Sequence, residues 1–242
     1  YDGNTVQPLL DAVFTNVDQL VLNKDRSKAL FTQTRYETIA PQDNELMMLD
    51  IDSGHIAAIS GIPKGSTEAY AFGPDGAVYF LYLDIDGPMG LAASNPRLYR
   101  IRPGQDTEAV LLDHSGGAYN YYGSIASDMM LGIAQQALVP TGEAICFLST
   151  HLQDAHLMAY AIADGAFAQI TRAPGAVMEF APDEMGGFVL IAMRENGLGE
   201  LYAVDADGKE RQISGLNTAL LSAHEVVTPL ALGEPEMHPN HP

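Results

Sequence analysis

The sequence has 242 residues, 47% of them hydrophobic, and 12 basic side chains stand against 31 acidic ones, a formal net charge of -19. A chain of this length can bury a sizeable core, as one large β domain or as two small domains. The charge argues against nucleic acid and anionic membrane surfaces as binding partners, because both would repel the protein. We therefore expect neither partner.

The cysteine content and the search for targeting segments narrow the class of protein further. The single cysteine, Cys146, lies in an apolar run, so no intramolecular disulfide can form and we expect a buried core thiol rather than a nucleophile. No apolar run approaches the roughly 20 residues of a transmembrane helix. The start, Tyr1 to Asn4, shows no signal peptide and no initiator Met. We expect a cytoplasmic protein, and a sequence cut from something longer.

In chain order, the sequence predicts an extended lead-in at residues 1–19 and then four groups of short strands. Alternating or continuous apolar runs of four to eight residues, bounded by Gly, Pro, Asn and Asp, are typical of β-strands. Each group has two strands followed by a hairpin that opens on a Leu. The two strands are predicted at 20–22 and 28–34 before Leu46, at 69–72 and 77–82 before Leu98, at 137–139 and 144–148 before Leu157, and at 177–180 and 188–192 before Leu201. The turn at 73–76 is Gly-Pro-Asp-Gly, in which Pro presets its own φ and Gly accepts a positive φ.

The four hairpins repeat one pattern. Each opens on a Leu, turns at or near a Gly, and closes 12 or 13 residues later on an apolar residue, at Ile59, Leu111, Ile170 and Ile213. The opening leucines are 44 to 59 residues apart, and a period of this length with four strands per repeat is typical of a β-propeller blade. The predicted fold is all-β, a β-propeller of four-stranded antiparallel blades with about four blades in this chain.

We place the blades at about 15–60, 61–113, 137–171 and 174–215. Residues 112–136, rich in Gly and Tyr, are predicted as a long loop or irregular inner strand, in preference to a surface that contacts a ligand. Residues 216–223 are predicted to form a short helical turn, and 216–242 as a whole a Pro-rich linker.

Few side chains are candidates for a catalytic role. Asp113-His114-Ser115 brings together the three residue types of a catalytic triad, but adjacent residues on one loop rarely point at each other. We therefore assign no catalytic residue.

Metal-ligand patterns are also weak. The histidines that could bind zinc are His151, His156, His238 and His241, and no pair comes with a third ligand at a zinc-site spacing. Asp205 to Gly208 and Asp84 to Gly87 resemble calcium loops without the distal Glu, so we expect ordinary turns. We expect no metal and no cofactor.

An ordered series of short strings resembles a known family. The strings are Asn95-Pro96-Arg97-Leu98-Tyr99, Ser127-Asp128, Leu148-Ser149-Thr150, Ala155-His156-Leu157, Gly199-Glu200-Leu201-Tyr202 and Ile213-Ser214-Gly215-Leu216-Asn217-Thr218-Ala219-Leu220-Leu221. Together they resemble the propeller of prolyl oligopeptidase-type serine peptidases, in particular the acylaminoacyl-peptidase and dipeptidyl-peptidase-like branch, over about residues 15–236. In that family the last string lies where the propeller ends and an α/β-hydrolase domain begins.

The resemblance implies a non-catalytic propeller that admits short peptides to a hydrolase domain outside this sequence. The sequence holds no Gly-x-Ser-x-Gly nucleophile elbow, as that reading requires. Family propellers have seven or eight blades, so four imply further blades upstream, and residues 237–242 match no family motif. Substrate-binding residues cannot be named from the sequence.

Two alternatives stay open. One is a binding or scaffold propeller without an enzyme, using loops 35–44 and 84–96 to hold a protein or glycan. The other is a propeller-type polysaccharide lyase with a metal in its central channel, against which the lack of a His cluster counts. Open faces on the end blades also predict a homodimer or further blades.

Overall fold

The computed structural model describes residues 15–36, 43–84, 95–121, 138–151, 154–194 and 198–224. Its elements are sixteen β-strands and one short helix. The strands form four successive units of four, each with neighbouring strands antiparallel in chain order. The chain is therefore all-β with four-stranded antiparallel sheets, as predicted.

The first two units are separate sheets. The first has β1 (Thr15–Leu22), β2 (Lys28–Arg35), β3 (Glu45–Asp50) and β4 (Ile56–Ala58). The second has β5 (Ser66–Phe72), β6 (Val78–Leu83), β7 (Arg97–Ile101) and β8 (Val110–Leu111). β1 begins five residues before the predicted strand, because a bulge at Asp18 and Val21 lets the lead-in pair with β2 as far as Thr15.

The last two units share one sheet. The third has β9 (Val139–Pro140), β10 (Ala144–His151), β11 (Asp154–Ala161) and β12 (Phe167–Gln169). The fourth has β13 (Ala176–Pro182), β14 (Phe188–Met193), β15 (Gly199–Val204) and β16 (Glu210–Gln212). A parallel bridge between Ala155 and Ala176 joins β11 to β13 and makes one eight-stranded sheet, which the sequence did not predict.

All four predicted hairpins are confirmed, as the pairs β3–β4, β7–β8, β11–β12 and β15–β16. In each one the carbonyl of the opening Leu accepts a hydrogen bond from the amide of the closing residue. The donors are Ile59, Leu112, Ile170 and Ile213, at 2.8 to 2.9 Å. The closing residue of the second hairpin is therefore Leu112 and not Leu111, because the register of β7 and β8 pairs Tyr99 with Leu111.

Three apolar cores lie between successive units. The core between the first two sheets includes Leu30 and Leu46 packed against Tyr70 and Phe80. The second core joins Tyr79 and Leu98 to residues of the third unit, and the third core joins that unit to the fourth. Since each unit buries a face only against its neighbour, the four units form a stack.

Tyr70 locks the first two sheets together. Its single hydroxyl proton is shared between the carbonyls of Asp18 and Gln19, at 2.8 and 2.5 Å, and its oxygen accepts from the amide of Thr32 at 3.0 Å. These bonds satisfy the backbone groups that the β1 bulge leaves without a ladder partner.

Helix α1 (Thr218–Ala223) follows β16 and confirms the short helical turn predicted there. None of its residues is buried. Among the described residues, no helix has the length and apolar character needed to cross a membrane.

Candidate functional site

The two ends of the strands differ in character. Because neighbouring strands are antiparallel, the turns that join the first strand of a unit to its second, and the third to its fourth, lie at one edge of the sheets. The connections from the second strand to the third, and from each unit to the next, lie at the opposite edge. The first edge, here the turn edge, has connections at 23–27, 51–55, 73–77, 102–109, 141–143, 162–166, 183–187 and 205–209. The second edge, here the loop edge, has connections at 36–44, 59–65, 84–96, 112–138, 152–153, 170–175 and 194–198.

Aspartates hold the turn edge in tight turns. The Asp205 carboxylate accepts hydrogen bonds from the amides of Asp207 and Lys209, at 3.1 and 2.8 Å. Asp183 does the same for Met185 and Gly187. The calcium-like string at 205–208 is therefore a turn, as predicted, because the Asp205 oxygen is used by the backbone. The second such string, 84–87, lies mostly outside the described residues.

The loop edge carries the longer connections, and it is the candidate functional face. Binding residues are disproportionately found on loops that a rigid scaffold positions. Within the part of the chain that the structure describes, no group of three or more His, Cys, Asp or Glu side chains is placed to hold a metal ion.

Asp113 is a structural residue of the loop edge. It is 1% exposed, and its carboxylate accepts from the Ser115 amide at 2.9 Å and the Tyr121 hydroxyl at 3.0 Å. Burial and the nearby Asp113 carboxylate raise the pKa of Tyr121 far above its ordinary value, so the phenol stays protonated and donates. His114 and Ser115 are exposed. The partners of the Asp113 carboxylate are the Ser115 amide and Tyr121 rather than the His114 ring, so the three side chains are not arranged as a triad.

In the described part of the Gly- and Tyr-rich segment, Tyr119 and Tyr121 pack against aromatic rings of the third unit, whereas residues 114–118 are exposed. Tyr119 stacks on Phe167 with ring centroids 4.8 Å apart, and Tyr121 lies 4.8 Å from Phe147. The Asn120 amide donates to Ser149 Oγ at 3.1 Å, and the Asn120 carbonyl accepts from the Thr150 amide at 3.2 Å. The segment 119–121 therefore ties the second sheet to the third unit. Residues 122–136 lie outside the described residues.

Within the described ranges, His151 and His156 belong to no group of three possible metal ligands. His151 is exposed at the end of β10, and His156 is half-buried on β11. Burial lowers the pKa of His156, so its imidazole is neutral at pH 7. His238 and His241 are not among the described residues. Cys146 is 1% exposed, and burial raises the pKa of its thiol to about 12, so the prediction of a buried thiol is confirmed.

Glu200 anchors the segment that leaves the last strand, and the sequence interpretation missed this role. It is 2% exposed, and its carboxylate accepts from the amides of Leu216 and Asn217, at 2.9 and 2.7 Å, and from the Ser214 hydroxyl. These bonds lower the pKa of Glu200, and the bond from Ser214 has the largest effect, so the carboxylate is ionised at neutral pH. The sequence signal for this role was a carboxylate at a position that strand alternation places on the buried face of β15.

The anchor fixes where the chain leaves the stack. Asn217 Nδ2 donates to the Gly199 carbonyl at 2.8 Å, at the start of β15. Helix α1 therefore starts at the loop edge. Leu216 and Leu220 beside it are 74% and 47% exposed.

Comparison with known proteins gives the fold and no more. No protein-family model and no curated protein sequence matches the chain. Solved structures do match, at low identity. TolB from Acinetobacter baumannii is 16% identical with a TM-score of 0.55, over 88% of this chain and 47% of that one. The acylaminoacyl peptidase of Pyrococcus horikoshii is 14% identical with a TM-score of 0.55, over 86% of this chain and 28% of that one.

A third similar structure is itself a β-propeller domain. The β-propeller domain of the Trilobed protease from Pyrococcus furiosus is 18% identical with a TM-score of 0.50, over 84% of this chain and 52% of that one. The chain therefore spans about half or less of these three neighbours. Its four-stranded units are arranged as in β-propellers, and a closed ring is not formed by the described strands.

Proposed function

We propose that this chain is the non-catalytic propeller domain of a prolyl oligopeptidase-type serine peptidase, close to the acylaminoacyl and dipeptidyl peptidases. Its role is to control the access of short peptides to an α/β-hydrolase domain of the same protein, which carries the nucleophile. A propeller over the mouth of a catalytic pocket admits short or unfolded peptides and excludes folded proteins by size. We further expect this protein to be cytoplasmic.

The segment that follows the last strand, residues 214–223 (here the exit segment), is the observation that carries the proposal. Glu200 holds it at the loop edge, and Leu216 and Leu220 project apolar surface with no cover among the described residues. Exposed apolar side chains that cluster at one point of a surface commonly mark an interface. A hydrolase domain that follows the linker would dock here, facing the loop edge.

The test uses the longer protein from which the sequence derives. We expect the reading frame beyond Pro242 to encode a Gly-x-Ser-x-Gly elbow within alternating strands and helices. The purified protein should hydrolyse short chromogenic peptides, and replacement of the elbow serine should abolish this activity. A reading frame that ends near Pro242 would refute the proposal.

A matched pair of variants tests the docking surface. Leu216→Lys together with Leu220→Lys should release the hydrolase domain and let larger peptides be cleaved, because a charge replaces apolar contact. Met185→Lys should change neither property, since Met185 is 87% exposed but lies at the turn edge. Cleavage rates for peptides of increasing length are the measurement. Equal behaviour of the two variants would count against docking at α1.

A second candidate is a binding or scaffold propeller with no hydrolase domain. The likeness to TolB favours it, because the matched part is 47% of that chain against 28% of the peptidase. The TolB chain therefore holds less beyond the matched region. A gene that ends shortly after Pro242, and protein capture by the purified chain, would support this candidate.

A further inference from the structure

A cavity opens at the turn edge, where the first three units meet. Residues of four connections and of the adjoining strands form its walls, namely the connections β1–β2, β5–β6, β7–β8 and β9–β10. Its volume is about 1300 Å³, which is ample for a small organic molecule, since ligand sites commonly measure roughly 300–1,000 Å³. This cavity, here the turn-edge cavity, lies at the opposite edge of the stack from the start of the exit segment.

Apolar side chains from all three units line the turn-edge cavity. They are Val21, Met48, Phe72, Pro103 and Pro140. Each of them is half-buried, so it keeps apolar surface that the neighbouring strands leave uncovered. Val21, Met48 and Phe72 also pack against the core between the first two sheets, which fixes their positions. Apolar surface that converges on a preformed concave site is the surface that a ligand removes from water on binding.

Two lysines give the turn-edge cavity positive charge. Lys24 and Lys28 both line it, and Asp25 is the one acidic side chain among the described residues that do so. The ion pairs formed by the described residues include neither lysine. Two cations against one anion leave the lining with an excess of one positive charge, in a chain whose formal net charge is -19. The cavity therefore differs in sign from the protein as a whole.

The carboxylates beside these lysines are engaged by their own turns. Asp25 Oδ1 accepts hydrogen bonds from the amide and the hydroxyl of Ser27, at 3.0 and 2.7 Å. Asp50, the cross-strand partner of Lys28, accepts in the same way from Ser53, at 2.9 and 2.6 Å. Since neither carboxylate approaches a lysine to ion-pair distance, both ammonium groups are available to an anion that enters the cavity.

Asn23 holds the turn that carries both lysines. Its amide donates to the Lys28 carbonyl at 3.0 Å, and its Oδ1 accepts from the Lys28 amide at 2.9 Å. Its Nδ2 donates to Ser27 Oγ at 3.1 Å. Because the backbone of this turn is already ordered, a ligand loses less affinity to conformational entropy than it would at a loose loop.

We propose that the turn-edge cavity binds a small amphipathic anion, a molecule with one anionic head group and an apolar body. Lys24 and Lys28 attract the head group, and the apolar body packs on Val21, Met48 and Phe72. A lysine ammonium acts as a point charge without the planar fork of arginine, so the site accepts carboxylate and sulfonate head groups alike. The inference does not rest on the proposed function, because the cavity and the exit segment lie at opposite edges.

Calorimetric titration of the 242-residue chain with three probes that share one alkyl chain tests the inference. The probes are decanoate, decanol and decyltrimethylammonium, whose head groups are negative, neutral and positive. The net charge of -19 by itself favours the cation. We expect the reverse order, with decanoate bound most tightly and decyltrimethylammonium least, because the local charge of the cavity decides. Added salt should weaken the binding of decanoate but not that of decanol.

Replacement of each lysine by methionine removes the charge and keeps an unbranched apolar side chain. Lys24→Met and Lys28→Met should each weaken decanoate binding about two- to fivefold, the range for one exposed ion pair, and leave decanol binding unchanged. The matched control is Lys209→Met, since Lys209 is also exposed at the turn edge but lies in the β15–β16 turn, outside the cavity. This control should bind decanoate as the unchanged chain does.

Stability separates binding from folding. Both lysines are exposed, so neither substitution should lower the midpoint of urea unfolding. If one of them does lower it, Leu22→Glu decides, because Leu22 also lines the cavity, is 45% exposed, and would there present a charge that repels an anion. This variant should weaken decanoate binding more than decanol binding. Val110→Glu should change neither, since Val110 is 43% exposed on β8, outside the cavity.

Several outcomes would overturn the inference. They are no binding of decanoate, binding of decanol as tight as that of decanoate, and tighter binding of decyltrimethylammonium. Decanoate affinities of Lys24→Met and Lys28→Met equal to that of Lys209→Met would overturn it as well. These titrations need no hydrolase domain, so their failure together with peptidase activity of the longer protein would leave the proposed function standing.

Discussion

The surroundings of individual side chains in this protein determine their reactivity and their charge. Cys146 and Asp113 both belong to reactive residue types, yet one is enclosed by apolar side chains and the other is saturated with hydrogen bonds. Glu200 lies on the same face of β15 as Tyr202 and Val204 of the third core, and its carboxylate accepts from three donors.

Cys146 should resist thiol reagents in the native protein. Only the thiolate reacts, and a pKa of about 12 leaves almost none of it at pH 8. We expect no colour with Ellman's reagent in buffer and one equivalent in concentrated guanidinium chloride. Rapid labelling of the folded chain would show that the thiol is accessible.

The Glu200 anchor should fail in acid. Its pKa is lower in the folded state, so its contribution to stability is present above the unfolded pKa, about 4.3, and is lost as the pH falls through the folded pKa. Amide hydrogen exchange at Leu216 and Asn217 should be protected at pH 6 and lose protection as the pH falls through the lowered pKa of Glu200. Glu200→Gln should lack this protection at pH 6 as well, since an amide cannot accept all three bonds. Protection that is independent of pH would contradict this role.

At the scale of elements, β14 buries one face fully and leaves the opposite face partly exposed. On β14, Leu190 pairs with Tyr202 and lies in the third core, whereas Val189 pairs with Ala203 on the outer face. Leu190 is 0% exposed and Val189 38%. Alternation along a strand therefore decides which substitutions the protein tolerates.

Leu190→Ala should destabilise the chain by about 2–5 kcal/mol, because it leaves a cavity in the third core. Val189→Ala should cost less than about 1 kcal/mol, since its side chain is already partly hydrated. Urea unfolding monitored by circular dichroism measures both. Similar costs for the two substitutions would show that β14 is in a different register.

The ion pair of Arg194 and Glu210 fixes the end of β14 to β16. Two hydrogen bonds of 2.8 and 2.9 Å join them, the side chains are 9% and 12% exposed, and the guanidinium lies 5.6 Å from the ring centre of Tyr202. Glu210→Ala should cost about 3–5 kcal/mol, because it leaves an uncompensated charge. The control is Glu45→Ala, whose pair with Arg35 is about half exposed and should contribute less than about 1 kcal/mol. Equal shifts in unfolding midpoint would contradict this difference.

The whole molecule is a stack with apolar side chains at both ends. Val17, Leu20 and Leu22 of β1 are 42%, 67% and 45% exposed, and Val189 and Ile213 are exposed at the other end. Unpaired sheet faces of this kind favour association. We expect the isolated chain to form a homodimer through these faces, or to belong with further blades in a longer protein.

Sedimentation of the 242-residue chain tests this expectation. A dimer at micromolar concentration that Val189→Lys dissociates would support association through the outer face of the fourth unit. Val110→Lys is the control, since Val110 is similarly exposed, at 43%, but lies on β8 of the second sheet. A stable, soluble monomer would contradict both forms of the expectation.

The sequence by itself determined the strands, the hairpins and the four-stranded units. These depend on local chemistry, namely alternation of side chains, Asp and Gly in turns, and the repeated interval from Leu46 to Ile59. The turn of Asp205 follows from the same rules. Such signals act over a few residues and can therefore be read without a fold.

Only the tertiary structure decided what depends on contacts between distant residues. The bridge from Ala155 to Ala176, the closing role of Leu112 and the hold of Glu200 on Leu216 arise from pairing and burial. The turn-edge cavity could be found only after the turns of three units had been placed beside one another. A cavity belongs to the assembled molecule, because its walls come from parts of the chain that are distant in sequence.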